Sequence, residues 1–256
     1  MSLVAALMCG IVGYVGKSPV VDTVLGALSR LEYRGYDSAG IAVLNSKGIE
    51  IRKRPGKLRA LAEAIGRAPI GKGHLGLGHT RWAPHGEPTA ANAHPHTDCH
   101  NALAVVHNGI VENYAELKSR LLAKGHRFRS QTDTEVIAHL VEEYAKREPL
   151  DRAFRHALKE LRGSYAVCLL SKHDPDRLFG AKNSSPLVVG VGKGEAFFAS
   201  DVPAILDRTR RVVYLNDREV VELTASGPHL TTLEGTPIRR RTTTVDRSRI
   251  HAFSWW

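Results

Sequence analysis

Cysteine is scarce in this chain, and that scarcity is the first constraint. Only Cys9, Cys99 and Cys168 occur in 256 residues. So odd and sparse a set builds no disulfide framework and points to a reducing compartment, the cytoplasm. Long apolar runs are also missing. No stretch approaches the ~20 residues that carry a helix across a bilayer, so no membrane partner is expected. The first seven residues, Met1 to Leu7, contain no Lys or Arg and make a poor signal peptide. Leu7-Met8-Cys9 has the outline of a lipoprotein cleavage site, but Met stands where a small residue is needed. Acidic residues number 26 against 36 basic ones, a net charge of +10. The excess is partly local, in Arg52-Lys53-Arg54, around Arg208 to Arg211 and in Arg239-Arg240-Arg241. No aromatic residues interleave with these runs, so a solvated basic face is favoured over a nucleic-acid partner.

What is present is enough apolar content, 43%, for one large domain or two small ones. Residues 9–16 read as a buried strand. Ser18-Pro19 predicts a helix start, a cap followed by Pro at the first helical position. Val20, Val24, Leu28 and Leu31 mark its buried face, and Gly35 ends it. Residues 39–44 and 49–54 predict a hairpin around Asn45-Ser46-Lys47-Gly48. A helix near 57–66 and a strand near 74–79 precede a long polar loop, 80–101, rich in His and Pro. A strand at 102–107 runs into Asn108-Gly109, a common turn dipeptide. Helices follow near 114–124, 133–147 and 151–161, with Thr132-Asp133-Thr134-Glu135 as a capping box for the second. After Gly163 the chain turns β-rich, with strands near 164–171, 177–182, 187–191, 196–199, 211–215, 219–224 and 229–233, and a short helix near 202–208. Cys168 lies in an apolar strand as a core filler. Helices grouped between β-rich blocks predict an α+β fold in layers.

Two phosphate motifs fall short. Gly66 to Lys72 has the spacing of a P-loop, but Gly73 replaces the Ser or Thr that would hold a metal. Gly71-Lys72-Gly73-His74-Leu75-Gly76 matches G-x-G-x-x-G without the strand-to-helix context that gives such glycines their role. His94-Pro95-His96-Thr97-Asp98-Cys99-His100 gathers five potential metal ligands. Their spacing matches no usual paired zinc pattern, and a His-rich loop lining a polar pocket is preferred. No metal or cofactor is expected.

A more specific constellation remains. It comprises Cys9-Gly10-Ile11-Val12-Gly13, Arg34-Gly35-Tyr36-Asp37-Ser38-Ala39-Gly40, His79-Thr80-Arg81-Trp82-Ala83-Pro84-His85-Gly86-Glu87-Pro88, Asn92-Ala93-His94-Pro95-His96, His107-Asn108-Gly109-Ile110-Val111-Glu112-Asn113 and Thr132-Asp133-Thr134-Glu135-Val136. In this order the blocks resemble the glutaminase domain of glucosamine-6-phosphate synthases, a class II glutamine amidotransferase. The resemblance runs from residue 8 to about residue 240. It implies the four-layer αββα sandwich of N-terminal-nucleophile hydrolases, with residues 1–8 as an extension, 9–240 as the glutaminase domain and 241–256 as the start of a linker.

The chemistry implied is hydrolysis of L-glutamine to L-glutamate and ammonia. Amide cleavage needs a nucleophile, a base, an oxyanion site and a clamp on the substrate's charged end. Cys9 supplies the thiol, and its α-amine, once freed at the Met8–Cys9 bond, is a base of pKa about 8. The resemblance implies that Asn108 and Gly109 form the oxyanion hole. It implies further that Arg81 binds the glutamine carboxylate, Asp133 binds its ammonium, Arg34 shapes the pocket, and Trp82 and His85 line it from the long loop. The partners implied are L-glutamine and a sugar-isomerase domain, on a parent chain or a separate protein. A homodimer is left open.

Two departures stand out. Pro84 replaces the family's usual Thr, which helps hold the glutamine carboxylate. Pro has no hydroxyl or backbone N–H, so weaker glutamine binding is expected. The stretch Thr97 to Asn101 also differs, beyond the substrate clamp. Two alternatives stay open: a paralogue aminating another acceptor, and a silent module whose Cys9 amine stays blocked. Trp255-Trp256 suggest a docking surface or a chain cut from something longer.

Overall fold

The computed structural model describes residues 9–82 and 87–246. The expectations for the extension 1–8, for Pro84 and His85, and for the terminal tryptophans lie outside the described residues.

Strict alternation organises the strands. Ile11 and Val15 face one way from β1 (Gly10–Gly16), Val12 and Tyr14 the other, and all four are buried. A strand buried on both faces must lie inside a stack of layers. Two antiparallel sheets provide the inner layers. The first runs β15 (Thr243–Thr244), β11 (Arg211–Tyr214), β9 (Val188–Val191), β10 (Glu195–Ala199), β1, β4 (Gly73–Arg81), β2 (Ser38–Asn45), β3 (Gly48–Pro55). The second runs β14 (Pro237–Ile238), β13 (Gly227–Thr232), β12 (Glu219–Thr224), β8 (Leu178–Asn183), β7 (Gly163–Ser171), β6 (Leu103–Val111), β5 (His96–Thr97). Pairing thus continues past residue 240 through Thr243–Thr244.

Helices α1 (Val20–Ser29) and α2 (Leu58–Arg67) cover the first sheet. Helices α3 (Tyr114–Ala123), α4 (Glu135–Ala145) and α5 (Leu150–Glu160) cover the second. Three apolar cores separate the layers. Ile11, Leu75, Leu77, Ala104, Val106 and Phe198 meet between the sheets. Val24, Leu28 and Leu61 pack on Val12, Tyr14 and Phe197. Leu140, Phe154 and Leu158 pack on Val105, Val167 and Phe179. This is the four-layer αββα sandwich, an α+β fold. Close seating of α1 needs Gly78, where a Cβ would lie 2.4 Å from Val24 and 2.9 Å from Leu28.

Three local expectations are corrected. Asn108-Gly109 is not a turn: β6 continues to Val111, with Asn108 opposite Ala166 and Gly109 opposite Tyr165. Gly109 has φ +127°, and a Cβ there would fall 2.1 Å from the Ser164 carbonyl oxygen, so only glycine fits. The Thr132 capping box is not formed. Thr134 is the cap residue of α4, and the Glu135 carboxylate reaches back to the amides of Arg129 and Ser130, each at 2.7 Å. Thr132 instead meets His96 Nε2 at 3.0 Å. Finally, Pro19 rather than Ser18 is the α1 cap residue, and the helix closes at Ser29, ahead of a short 3-10 turn, Glu32–Arg34.

Candidate active site

The face of each sheet that lines the inner core is apolar until its last residues. On β4, Leu75 and Leu77 face the second sheet, and the same parity brings His79 and Arg81 there. On β6, Ala104 and Val106 face the first sheet, and parity brings Asn108 to meet His79. Cys9 precedes β1 with the parity of Ile11. The sandwich therefore ends, at one edge of its inner core, in a small set of polar groups.

Asn108 joins them. Its Nδ2 donates to the Cys9 carbonyl oxygen at 2.8 Å, and its Oδ1 lies 2.9 Å from His79 Nε2. A carbonyl can only accept, so Nδ2 must face Cys9, Oδ1 must face His79, and His79 Nε2 must carry the proton. His79 Nε2 also donates to the His107 carbonyl at 3.1 Å. Burial pushes the His79 pKa down to about 3, so the ring is neutral and its tautomer is set by these two oxygens. Behind it the His94 ring lies tilted at 4.1 Å between centroids, and His96 meets His94 edge-on at 4.8 Å. Burial holds both well below the ordinary imidazole value. His94 and His96 of the His-rich loop thus form a buried, neutral ring cluster with His79.

The Cys9 thiol is half-buried. It accepts from the Trp82 amide at 3.2 Å and lies 3.5 Å from the Trp82 carbonyl. Burial raises its pKa, with the Trp82 amide and the Arg81 charge pulling the other way. The thiol is therefore mostly protonated at neutral pH, and a base must take its proton before it can attack. Two hydroxyls anchor the backbone that follows: Thr80 Oγ1 accepts from Gly10 N–H at 3.1 Å, and Ser200 Oγ from Ile11 N–H at 3.0 Å.

Arg81 is buried at the end of β4, beside Trp82, and its carbonyl accepts from Asp37 N–H at 2.8 Å. The Trp82 side chain is 39% exposed, so this residue meets Cys9 through its backbone. Asp133, just ahead of α4, accepts from Val111 N–H at 2.7 Å through Oδ2. That bond ties it to the strand carrying Asn108. Arg34 is also buried, with its guanidinium 3.5 Å from both the Ser200 carbonyl and the Asp201 carboxylate. Ser200 in turn holds Ile11, so Arg34 braces the strand behind Cys9. His85 lies outside the described residues.

Three groups carried no assigned role in the sequence reading: His79, which orients Asn108, and the anchors Thr80 and Ser200. His79 and Thr80 stood inside a quoted block, and strand parity would have pointed His79 inward. Ser200 gave no signal. A cavity of about 360 Å³ lies elsewhere, lined by Arg120, Tyr144 and Glu160, and contains none of these groups.

Two facing antiparallel sheets between helix layers, with a thiol ahead of β1 and an oriented carboxamide on β6 at one end of the inner core, form the fold and site of an amidotransferase domain. Residues 79–207 match the glutamine amidotransferase domain family, and the chain belongs to it. It is 57% identical over 239 residues to a glutamine–fructose-6-phosphate aminotransferase (isomerizing) of Thermus thermophilus, covering 93% of this chain and 39% of that protein. The protein of the same name from Aquifex aeolicus is 49% identical over 233 residues, covering 91% and 39%. The chain spans about two fifths of the length of these relatives. Among solved structures, the glutamine phosphoribosylpyrophosphate amidotransferase of B. subtilis shares the fold, with a TM-score of 0.76 at 24% identity over 88% of this chain and 49% of that one.

Proposed function

We propose that the chain hydrolyses L-glutamine to L-glutamate and ammonia through a thioester on Cys9. The observation that carries this is the Asn108 bridge, with Nδ2 at 2.8 Å from the Cys9 carbonyl and Oδ1 fixed by His79. It sets an amide N–H beside the nucleophile, where negative charge develops when a thiolate adds to a carboxamide.

In this reading the freed Cys9 amine takes the Sγ proton. Sγ adds to the side-chain amide carbon of glutamine, and the oxyanion is held by Asn108 Nδ2 and the Gly109 N–H. The ammonium returns its proton to the departing nitrogen, the C–N bond breaks, and ammonia leaves. Water then adds to the γ-glutamyl thioester, the amine again accepting and returning the proton, and the C–S bond breaks to release glutamate. Arg81 clamps the substrate carboxylate through its fork, and Asp133 Oδ1 accepts from the substrate ammonium while Oδ2 stays on Val111. Arg34, Trp82 and His85 shape the surrounding pocket, within a glutaminase unit that begins at residue 9 and includes the sheet pairing at Thr243–Thr244.

The relatives' names support a wider role. The ammonia would pass to a sugar-isomerase domain, on a longer chain or a partner, that converts fructose 6-phosphate to glucosamine 6-phosphate. Three free cysteines fit a cytoplasmic setting, and among the described residues no helix is long and apolar enough to cross a membrane. Cys9→Ala tests the mechanism: glutamine hydrolysis disappears while the melting temperature is kept. Turnover by that variant would refute it.

A further inference from the structure

We propose that Cys99, His126, His139 and Glu142 form a structural zinc site, a role separate from glutamine chemistry. Only Cys99 comes from the His-rich run singled out in the sequence. His94 and His96 pack in the ring cluster beside His79, and Asp98 accepts from the amides of Ala102 and Leu103 at 2.6 and 2.9 Å. The other three ligands are distant in sequence. His126 follows the Gly125 turn after α3, while His139 and Glu142 lie three residues apart on one face of α4.

Three of the six donor–donor distances are those of a tetrahedral edge. His126 Nδ1 and His139 Nδ1 are 3.3 Å apart, and Cys99 Sγ is 3.7 Å from the first and 3.6 Å from the second. Zinc bonds of about 2.0–2.1 Å to nitrogen and about 2.3 Å to sulfur give tetrahedral edges of about 3.3 and 3.6 Å. Glu142 Oε2 sits 2.8 and 3.0 Å from the two nitrogens, a few tenths inside the corresponding edge, so it moves outward slightly when an ion enters. All four donor atoms lie within 4.8 Å of one another.

The surroundings support metal ligands. The remaining nitrogen of each histidine faces a carboxylate: His126 Nε2 is 3.1 Å from Glu143, and His139 Nε2 is 3.7 Å from Glu135. The His126–Glu143 contact is the usual outer support of zinc-bound imidazole, while the Glu135 carboxylate stands beyond hydrogen-bond distance of His139 Nε2. Cys99 Sγ accepts from the Arg127 amide at 3.4 Å, a bond that favours the thiolate. One thiolate, one carboxylate and two neutral imidazoles balance the charge of a divalent ion, so a buried site carries no net charge. His139 is fully buried and His126 nearly so, while a cavity of about 200 Å³ lined by Cys99, His100, His126 and Glu142 gives the ion a way in. Four protein ligands leave no open position, which marks the site as structural. The ion would pin the loop after β5 and the turn after α3 onto α4. Asp133 immediately precedes that helix.

The test is metal analysis of the untagged chain, with cobalt(II) as a spectroscopic probe. The expected result is about one zinc per chain, and a chelator-induced fall in Tm of about 10 °C. Cobalt(II) loading gives the intense visible bands of a tetrahedral ion and a thiolate charge-transfer band. Cys99→Ser, nearly isosteric, removes that band and weakens zinc binding by about tenfold or more, as does His139→Asn. Cys9→Ala leaves zinc binding intact, which separates this site from the nucleophile. A chain that takes up no zinc from excess metal would overturn the proposal, as would zinc binding undiminished by Cys99→Ser.

Discussion

Replacing Asn108 with Ala tests the core of the site with a magnitude that the structure sets. The side chain makes two hydrogen bonds, to the Cys9 carbonyl at 2.8 Å and from His79 at 2.9 Å. His79 keeps its second acceptor, the His107 carbonyl at 3.1 Å, so the variant leaves mainly the Cys9 carbonyl to find a new partner. The stability loss is then about 1–2 kcal/mol. In the proposed mechanism the catalytic loss is larger, because Nδ2 would donate to the developing oxyanion, and losing one such donor costs about 3 kcal/mol. That corresponds to roughly a hundredfold in kcat. The donor acts on the transition state rather than on bound glutamine, so KM changes little. Glutamate release, followed by a coupled assay on protein beginning at Cys9, separates the two constants. A fall in kcat of less than about threefold, or a loss carried by KM, would refute the assignment of Asn108 to the oxyanion hole.

Other outcomes follow from the same contacts. If Asp133 binds the substrate ammonium as proposed, Asp133→Asn removes that charge while keeping an oxygen for Val111, so KM for glutamine rises about tenfold or more with kcat nearly unchanged; an unchanged KM would remove Asp133 from the substrate clamp. Gly109→Ala puts a Cβ 2.1 Å from the Ser164 carbonyl at a φ of +127°, and thermal unfolding should register a loss of at least about 2 kcal/mol. Acid stability depends on the buried histidines His79, His94, His96 and His107, whose pKa values burial lowers. The unfolded chain binds protons at these rings first, so each contributes stability that is full above about 6.5 and is lost as pH falls through its folded pKa, about 3 for His79. The slope approaches about 1.4 kcal/mol per pH unit for each ring. Melting temperature should therefore begin to fall near pH 6.5; a flat profile down to about pH 5 would contradict this.

Much of the fold was legible in the residues because local pattern and tertiary burial agree. The apolar alternation of residues 10–16 and the hairpin around Ser46-Lys47 both read directly from composition and spacing. The layer count did not; it came from the resemblance. Where the reading failed, a distant partner decided. Asn108-Gly109 has turn chemistry, but pairing with Ala166 and Tyr165 keeps it in a strand. Glu135 has capping-box spacing from Thr132, but its carboxylate is taken by the amides of Arg129 and Ser130. At the site, the proposed nucleophile and clamp residues were named through the family resemblance, whereas His79 hydrogen-bonds Asn108, 29 residues away, and carries no local mark of that contact. Cys99 shows the same limit. Its neighbours in sequence suggested a metal run, yet its neighbours in space lie 27 to 43 residues further on.

The central claim is that the thiol of Cys9 works with its own free amine. Intact mass paired with glutamine turnover tests it most directly, comparing a chain begun at Met8, from which that Met is removed, with the chain that retains residues 1–8. The account predicts hydrolysis in the species whose mass begins at Cys9, and loss of activity wherever the Met8–Cys9 peptide bond persists. Equal turnover by a chain whose measured mass still includes residues 1–8 would contradict it.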